Sequence, residues 1–126
     1  MIMMNEEWIF DDFDMGEYAI EKYVEKRGWI YVVKDTAFSE FVKIGRTSNM
    51  YKRLADYNAD KPHSTTVVVG MSEEFTNVIH VEKKIVDHLY KTIEPTTFKK
   101  EWFHVDNLGL ILDTIKEAER YFNGTE

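Results

Sequence analysis

Two runs of strand-forming residues near the start of the chain lie so close together that they limit the fold more than any other feature. The runs cover residues 29–33 and 41–45, and seven residues separate them. Aromatic and β-branched side chains favour strands, and a connection this short is typical of neighbouring antiparallel strands. The sequence therefore predicts a β-hairpin in this part of the chain.

Helical and strand patterns alternate in the rest of the chain. Ser48 and Asn49 are helix-capping residue types, and Tyr51, Leu54 and Tyr57 follow them at helical spacing. Further helices are predicted at residues 17–26, 76–90 and 107–122, and further strands at residues 65–71 and 101–105. This order predicts an α+β fold in which a small sheet is covered by helices.

The composition excludes several classes of protein. The chain has 126 residues, which is enough for one domain with a modest core. It contains no cysteine, so disulfide scaffolds, thiolate zinc sites and cysteine nucleophiles are excluded, and a reducing cytoplasm is the expected location. The first residues carry no basic segment of the kind that begins a secretory signal, and the longest apolar runs span only a few residues. Neither secretion nor a membrane span is therefore expected.

Negative charge is concentrated at the start of the chain. The formal net charge is −7, and residues 1–27 alone hold eight acidic and three basic residues. We therefore predict an acidic N-terminal extension with a short helix over residues 1–27, followed by a nearly neutral domain over residues 28–122. Residues 43–61 carry five basic and two acidic residues, which form a small basic surface suited to phosphate.

The acidic extension allows three interpretations. It would cover the basic surface as an internal mimic of phosphate, or it would form a solvated tail. Alternatively, it would dock a partner protein or a second copy of the chain, with three aromatic side chains as anchors: Trp8, Phe10 and Phe13.

Glu82 is the residue that fits least well into an ordinary core helix. In the helix predicted at residues 76–90, it lies four residues after Val78 and three before Ile85, on or beside the apolar face that meets the sheet. A carboxylate in that place is costly unless it is paired, protonated or bound to a metal. Three interpretations stay open: an edge residue that reaches solvent, a partner of a nearby lysine or arginine, and a metal ligand or catalytic carboxylate.

Three other residues allow two interpretations each. Arg53 is a surface charge or a bidentate phosphate ligand, and Tyr31 is a core aromatic or a catalytic hydroxyl. Lys43, inside an apolar strand, lies on an exposed face or points into a cleft. Gly45 is expected to end this strand and to allow close approach to its backbone. The four histidines show no zinc spacing, and we interpret them as surface or interface residues: His63, His80, His88 and His104.

Taken in order, these positions resemble the GIY-YIG nuclease superfamily. The likeness is closer to a phage and bacterial branch of it, in which the second signature reads Lys-Ile-Gly-Arg-Thr. The resemblance covers about three quarters of the chain. The matching segments are Gly-Trp-Ile-Tyr at residues 28–31, Lys-Ile-Gly-Arg-Thr at residues 43–47, Arg-Leu at residues 53–54, Glu-Lys at residues 82–83 and Glu-Trp-Phe at residues 101–103.

The resemblance implies a small three-stranded antiparallel sheet flanked by helices. It also implies hydrolysis of DNA phosphodiester bonds with one divalent cation, Mg²⁺ or Mn²⁺, in a bacterial or phage-infected cell. Glu82 matches the metal-binding carboxylate, Tyr31 matches a tyrosine near the attacking water, and Arg53 matches the arginine that stabilises charge on the phosphate.

Four further site residues follow from the resemblance and from the basic surface. Tyr57 matches a position held by histidine or tyrosine in the family, and Lys43 stands where the second signature tyrosine is found. Arg46 and Lys52 are expected to bind DNA phosphates. The alternative function is a module of the same fold that cleaves weakly or not at all and binds DNA or a partner protein.

Overall fold

The computed structural model describes residues 26–93 and 101–124. The predicted acidic extension and its helix therefore lie outside the described residues, apart from residues 26 and 27, which belong to no helix or strand. The strands are β1 (Trp29–Asp35), β2 (Phe41–Thr47), β3 (Thr66–Met71) and β4 (Trp102–His104). The α-helices are α1 (Met50–Asn58), α2 (Val78–Thr92) and α3 (Leu108–Asn123). The fold is thus α+β, as the sequence predicts.

The strands form one antiparallel sheet in the order β3-β1-β2-β4. The predicted hairpin is confirmed, and its register places Tyr31 opposite Gly45 and Val32 opposite Ile44. The three-stranded sheet implied by the resemblance is wrong for this chain, because β4 adds a fourth strand beside β2. Phe103, opposite Val42 in this pairing, is only 1% exposed, and its burial anchors the short strand.

The main core lies between one face of the sheet and the two longer helices. Ile30 and Val32 of β1 belong to this core, and their neighbours Tyr31 and Val33 point to the opposite face. Both faces of β1 are therefore buried, which explains its continuous apolar run. The helices contribute Val78, Val81, Ile85 and Leu89 from α2 and Ile111, Ile115 and Ala118 from α3. Within the described ranges, no helix is both long enough and apolar enough to cross a membrane.

Helix α1 lies beside Tyr31 and is held at both ends by asparagine side chains. At its start, the side chain of Asn49 accepts a hydrogen bond from the backbone N–H of Lys52. At its end, Asn58 Oδ1 accepts from the N–H groups of Thr65 and Thr66, and Asn58 Nδ2 donates to the carbonyls of Leu54 and Thr66. All four hydrogen-bonding positions of this amide are used, so Asn58 ties α1 to the start of β3.

The prediction that His80 lies at the surface or an interface is wrong. His80 is 4% exposed, and its ring meets Phe122 edge to face with 5.8 Å between ring centroids. Burial lowers its pKa to about 4, and the charges of Lys84 and Lys83 add to this effect. Periodicity alone did not reveal that His80 on α2 lies beside α3. This position explains why His80 is buried and not at the surface as predicted.

Acidification should destabilise the domain through His80. The unfolded chain takes up a proton at this residue below about pH 6.5, and the folded chain does so only near its lowered pKa. Lowering the pH from 7 to 5 should therefore cost about 2 kcal/mol of unfolding free energy from this group. Urea unfolding at both pH values should show a smaller loss in His80→Leu than in the wild type. His63→Ala, at an exposed histidine, is the control; equal pH dependence in all three proteins would contradict the prediction.

Candidate functional site

A cavity of about 370 Å³ opens where β1, β2, α1 and α2 meet. Among the described residues, five cationic and three acidic side chains line it, and their formal net charge of +2 favours an anionic ligand. The structure brings all seven predicted site residues to this place. Six line the cavity, namely Tyr31, Lys43, Arg46, Lys52, Arg53 and Glu82. The seventh, Tyr57, lies beside it in contact with Tyr31.

The local structure explains why these side chains converge. Residues opposite each other in an antiparallel pair share a face, so Lys43 and Gly45 lie on the same face as Tyr31. Arg53 and Tyr57 are four residues apart on α1 and therefore lie on one side of that helix. Spacing alone does not show that these two faces meet, because their contact depends on how α1 lies against the hairpin.

Two tyrosine hydroxyls form the centre of a hydrogen-bonded cluster. Tyr31 Oη and Tyr57 Oη are 2.9 Å apart, and their rings meet edge to face. Arg53 Nη1 donates to Tyr31 Oη over 3.2 Å, and Lys43 Nζ donates to Tyr57 Oη over 2.9 Å. Only one of the two hydroxyl protons serves the contact between the tyrosines. The other is available to an acceptor in the cavity, such as a water molecule or a phosphate oxygen.

Tyr31 is a neutral phenol at physiological pH. Its burial raises the pKa to about 12, and the neighbouring Tyr57 hydroxyl adds to the increase. Arg53 and Lys43 act in the opposite direction, because their positive charges favour the phenolate, but they do not outweigh the burial. Tyr31 is therefore suited to donating a hydrogen bond and to holding a water molecule in place.

Gly45 leaves the space that the Tyr31 ring occupies. A Cβ atom at Gly45 would lie 2.5 Å from Tyr31 Oη and 2.6 Å from Cζ of the same ring. The close approach that the sequence predicts is present, and the approaching group is this side chain. The prediction that Gly45 ends its strand is wrong, because β2 continues to Thr47.

Glu82 is a buried carboxylate that forms an ion pair with Arg46. Its side chain is 7% exposed, and its Oε1 accepts a hydrogen bond from Arg46 Nη1. Burial raises the pKa of Glu82, and Arg46 offsets part of this rise. Of the three interpretations, the solvent-exposed edge residue is wrong and the partner of a basic side chain is confirmed. A role as metal ligand stays a prediction.

Glu101 is a cavity residue that our assignment of the site omits. It forms an ion pair with Lys43, with 3.6 Å between Nζ and Oε1. The Glu-Trp-Phe segment is the sequence feature that could have identified Glu101. Its place beside Lys43, however, follows only from the pairing of β4 with β2, which sets Trp102 opposite Lys43. Asp56 also lines the cavity and pairs with Lys52 at 3.6 Å.

The donor set fits a hydrated Mg²⁺ or Mn²⁺ better than a fully chelated metal. Among residues 26–93 and 101–124, no three His, Asp or Glu side chains group together as a metal cage. A single carboxylate suits Mg²⁺, which keeps several water ligands and is often held by one or two protein oxygens. The cavity is large enough for such an ion with its waters. Glu82 would be the ligand, but Arg46 now contacts the same carboxylate.

The comparisons with known proteins agree with this kind of site. A comparison with protein-family models matches residues 28–122 to the T5orf172 domain. The comparisons with curated proteins and with solved structures gave no significant match. The T5orf172 domain is related to the GIY-YIG and homing endonucleases, and it indicates a nuclease-like or DNA-binding domain. Because the match covers about three quarters of the chain and includes all seven predicted site residues, the chain belongs to the T5orf172 domain family.

Proposed function

We propose that this domain is a metal-dependent nuclease that hydrolyses DNA phosphodiester bonds. The observation that carries the proposal is the convergence of an arginine, a buried tyrosine hydroxyl and a buried carboxylate on one cavity of net positive charge. An anionic phosphate would be attracted to this cavity, where the arginine would stabilise developing charge, the tyrosine would position a water molecule and the carboxylate would hold a cation. The resemblance to the GIY-YIG nucleases, in which Tyr31, Arg53 and Glu82 match site positions and Lys43 departs from one, supports the same function.

Arg53 is the residue proposed to stabilise charge on the scissile phosphate. Its guanidinium is only partly buried, and the bond from Nη1 to Tyr31 uses one of its five N–H donors. The remaining donors can bind two phosphate oxygens at once. Because the guanidinium is already fixed by Tyr31, it would meet the negative charge that develops in the transition state with little reorganisation.

Tyr31 is proposed to position the attacking water. As a neutral phenol it would not remove the proton of that water by itself, but it would hold the water beside the phosphate. Lys43 replaces the second signature tyrosine, and in its contacts with Tyr57 and Glu101 it acts as a donor and as a positive charge. We therefore assign Lys43 to fixing Tyr57 and attracting phosphate.

Glu82 is proposed to hold the divalent cation. When bound there, the cation would supply positive charge beside the phosphate. Arg46 and Lys52, on the same cavity, would bind neighbouring phosphates of the DNA backbone.

One observation favours the alternative of a module that binds DNA without cleaving it. Arg46 neutralises the carboxylate assigned to the metal, and in that arrangement the cavity would bind phosphate without a cation. The two functions share the DNA ligand and differ in whether a cation replaces Arg46 at Glu82.

Nicking of supercoiled plasmid tests the proposed function. The wild-type chain should convert supercoiled DNA to open circles with Mg²⁺ or Mn²⁺ and should not do so with EDTA. A Glu82→Gln, Arg53→Ala double variant, purified in the same way, controls for contaminating nucleases. A folded wild-type chain that binds DNA but does not nick it with several divalent metals would contradict the nuclease proposal. That result would support the alternative, a module that binds DNA without cleaving it.

Substitution of Gly45 should separate the position of Tyr31 from its chemistry. In Gly45→Ala, the new methyl group would overlap the Tyr31 ring, so the hydroxyl must leave Arg53 and Tyr57. Misplacement of a positioning group by about 1 Å costs roughly a hundredfold in rate, and we expect a loss of that size in nicking assays.

Gly70→Ala is the matched control for Gly45→Ala. It lies on β3 of the same sheet, and the atom nearest to its added Cβ is the flexible end of Leu112. Gly70→Ala should keep wild-type nicking. Unchanged nicking in Gly45→Ala, with its fold confirmed by circular dichroism, would show that the position of the Tyr31 hydroxyl does not matter.

A further inference from the structure

Arg46 and Glu82 have unequal surroundings, although they form one ion pair. The Glu82 side chain is 7% exposed, whereas the Arg46 side chain is 44% exposed. In the described part of the chain, each is the other's only side-chain hydrogen-bond partner. The carboxylate is thus fixed in the protein and needs a cation nearby, while the guanidinium lies at the border with solvent and is free to rotate away.

We propose that Arg46 is a displaceable counter-ion of Glu82, which leaves the carboxylate when a divalent cation binds and then contacts a DNA phosphate. This inference rests on the proposed function, because it takes Glu82 to be the metal ligand. It adds a mechanism by which the free protein keeps its metal site closed. It also predicts that the metal and the DNA assist each other's binding.

Arg46 and a divalent cation exclude each other at Glu82. A cation on Glu82 would lie only a few ångströms from the guanidinium, and like charges at such a distance repel strongly in a partly buried site. Once the cation neutralises the carboxylate, Arg46 loses its partner. Its planar guanidinium then suits bidentate contact with a phosphate in the cavity that it already lines.

The same competition links the metal to the DNA. A phosphate that attracts Arg46 leaves Glu82 with an uncompensated charge and so raises its affinity for the cation. By thermodynamic linkage, the cation raises the affinity for DNA by the same factor. The protein would therefore assemble its complete site only with both ligands present.

Binding of Mn²⁺ without DNA tests the displacement directly. Electron paramagnetic resonance measures the concentration of free Mn²⁺ at each protein concentration. Arg46→Ala should bind Mn²⁺ about tenfold more tightly than the wild type does. Lys52→Ala is the control, because Lys52 lines the same cavity but pairs with Asp56. An equal increase in Mn²⁺ affinity in both variants would indicate general charge repulsion. No increase in Arg46→Ala would show that Arg46 does not compete with the cation. Either result overturns the proposal.

Glu82→Gln distinguishes failure of this inference from failure of the metal site. If Glu82→Gln binds Mn²⁺ as the wild type does, Glu82 is not the ligand. Both the proposed metal site and the displacement of Arg46 are then wrong. If Glu82→Gln loses binding while Arg46→Ala gains none, only the displacement fails.

Binding to a labelled duplex tests the transfer of Arg46 to phosphate. The measurement uses the Arg53→Ala background, so that the duplex stays intact, and compares Mn²⁺ with EDTA by fluorescence anisotropy. Adding Arg46→Ala should weaken binding about tenfold in Mn²⁺ and less than about twofold in EDTA. Equal losses in both solutions would show that Arg46 contacts DNA whether or not Glu82 holds a cation, which overturns the transfer.

Discussion

Replacing Glu82 by glutamine should lower the rate of metal-dependent nicking by at least about a thousandfold, since the proposed transition state loses the cation that neutralises its charge. Glutamine keeps the size of the side chain and removes its negative charge. Nicking rates at saturating Mg²⁺ and Mn²⁺ would measure the effect. Asp87→Asn, an exposed carboxylate on the same helix, is the matched control and should keep full activity.

The same variant should not be less stable than the wild type at pH 7. Burial raises the pKa of Glu82 in the folded chain, so the stability from this group is present at low pH and is lost as the pH rises through that pKa. At pH 7 the ionised carboxylate therefore costs stability, and glutamine removes that cost. Arg46, left without its partner, is exposed enough to be hydrated.

Thermal unfolding of Glu82→Gln at pH 7 distinguishes a functional from a structural carboxylate. An unchanged or higher Tm with lost nicking is the expected pair of results. A lower Tm by many degrees would show that the ion pair holds the fold together, and lost activity would then say nothing about a metal.

Replacing Arg53 by alanine should lower the nicking rate by about a thousandfold and should weaken DNA binding far less. A fixed guanidinium that meets developing charge acts mainly in the transition state, and loss of such a group typically costs two to three orders of magnitude or more. Single-turnover rates and duplex affinities, measured separately, would show the difference.

Two further variants make the Arg53 experiment specific. Arg53→Lys should recover little activity, because lysine cannot contact Tyr31 and two phosphate oxygens in the same planar arrangement. Lys52→Ala, on the same helix with a side chain 73% exposed, should weaken binding and leave the single-turnover rate nearly unchanged. Equal effects of Arg53→Ala and Lys52→Ala on the rate would reduce Arg53 to one of several phosphate contacts.

Local patterns predicted most of the secondary structure. The hairpin follows from the spacing of its two strands, and helix α1 follows from the capping side chain of Asn49. The helix predicted from residue 76 begins at Val78, because the side chain of Asn77 caps it by accepting from the N–H of His80. These features depend on neighbouring residues, which is why the sequence alone identifies them.

Features that depend on distant pairing were predicted poorly or not at all. The pairing of β4 with β2 makes the sheet four-stranded and places Glu101 beside Lys43. The buried ring of His80 contacts Phe122, which is more than forty residues away in the chain. The contact of Arg46 with Glu82 joins a strand to a helix, and spacing alone cannot specify such a contact.

The way α1 is attached to the sheet has a consequence for how the protein responds to heat. This nine-residue helix contains no buried residue and is too short to be stable in isolation. Asn58 ties it to β3, and hydrogen bonds of Arg53 and Tyr57 join it to the hairpin, whereas the main core lies on the other side of the sheet. Opening of α1 would release Arg53 and Tyr57 together while the core stays packed. We therefore expect the proposed site to be lost at a lower temperature than the fold, so that a chain with native overall structure would no longer hold Arg53 and Tyr57 in place.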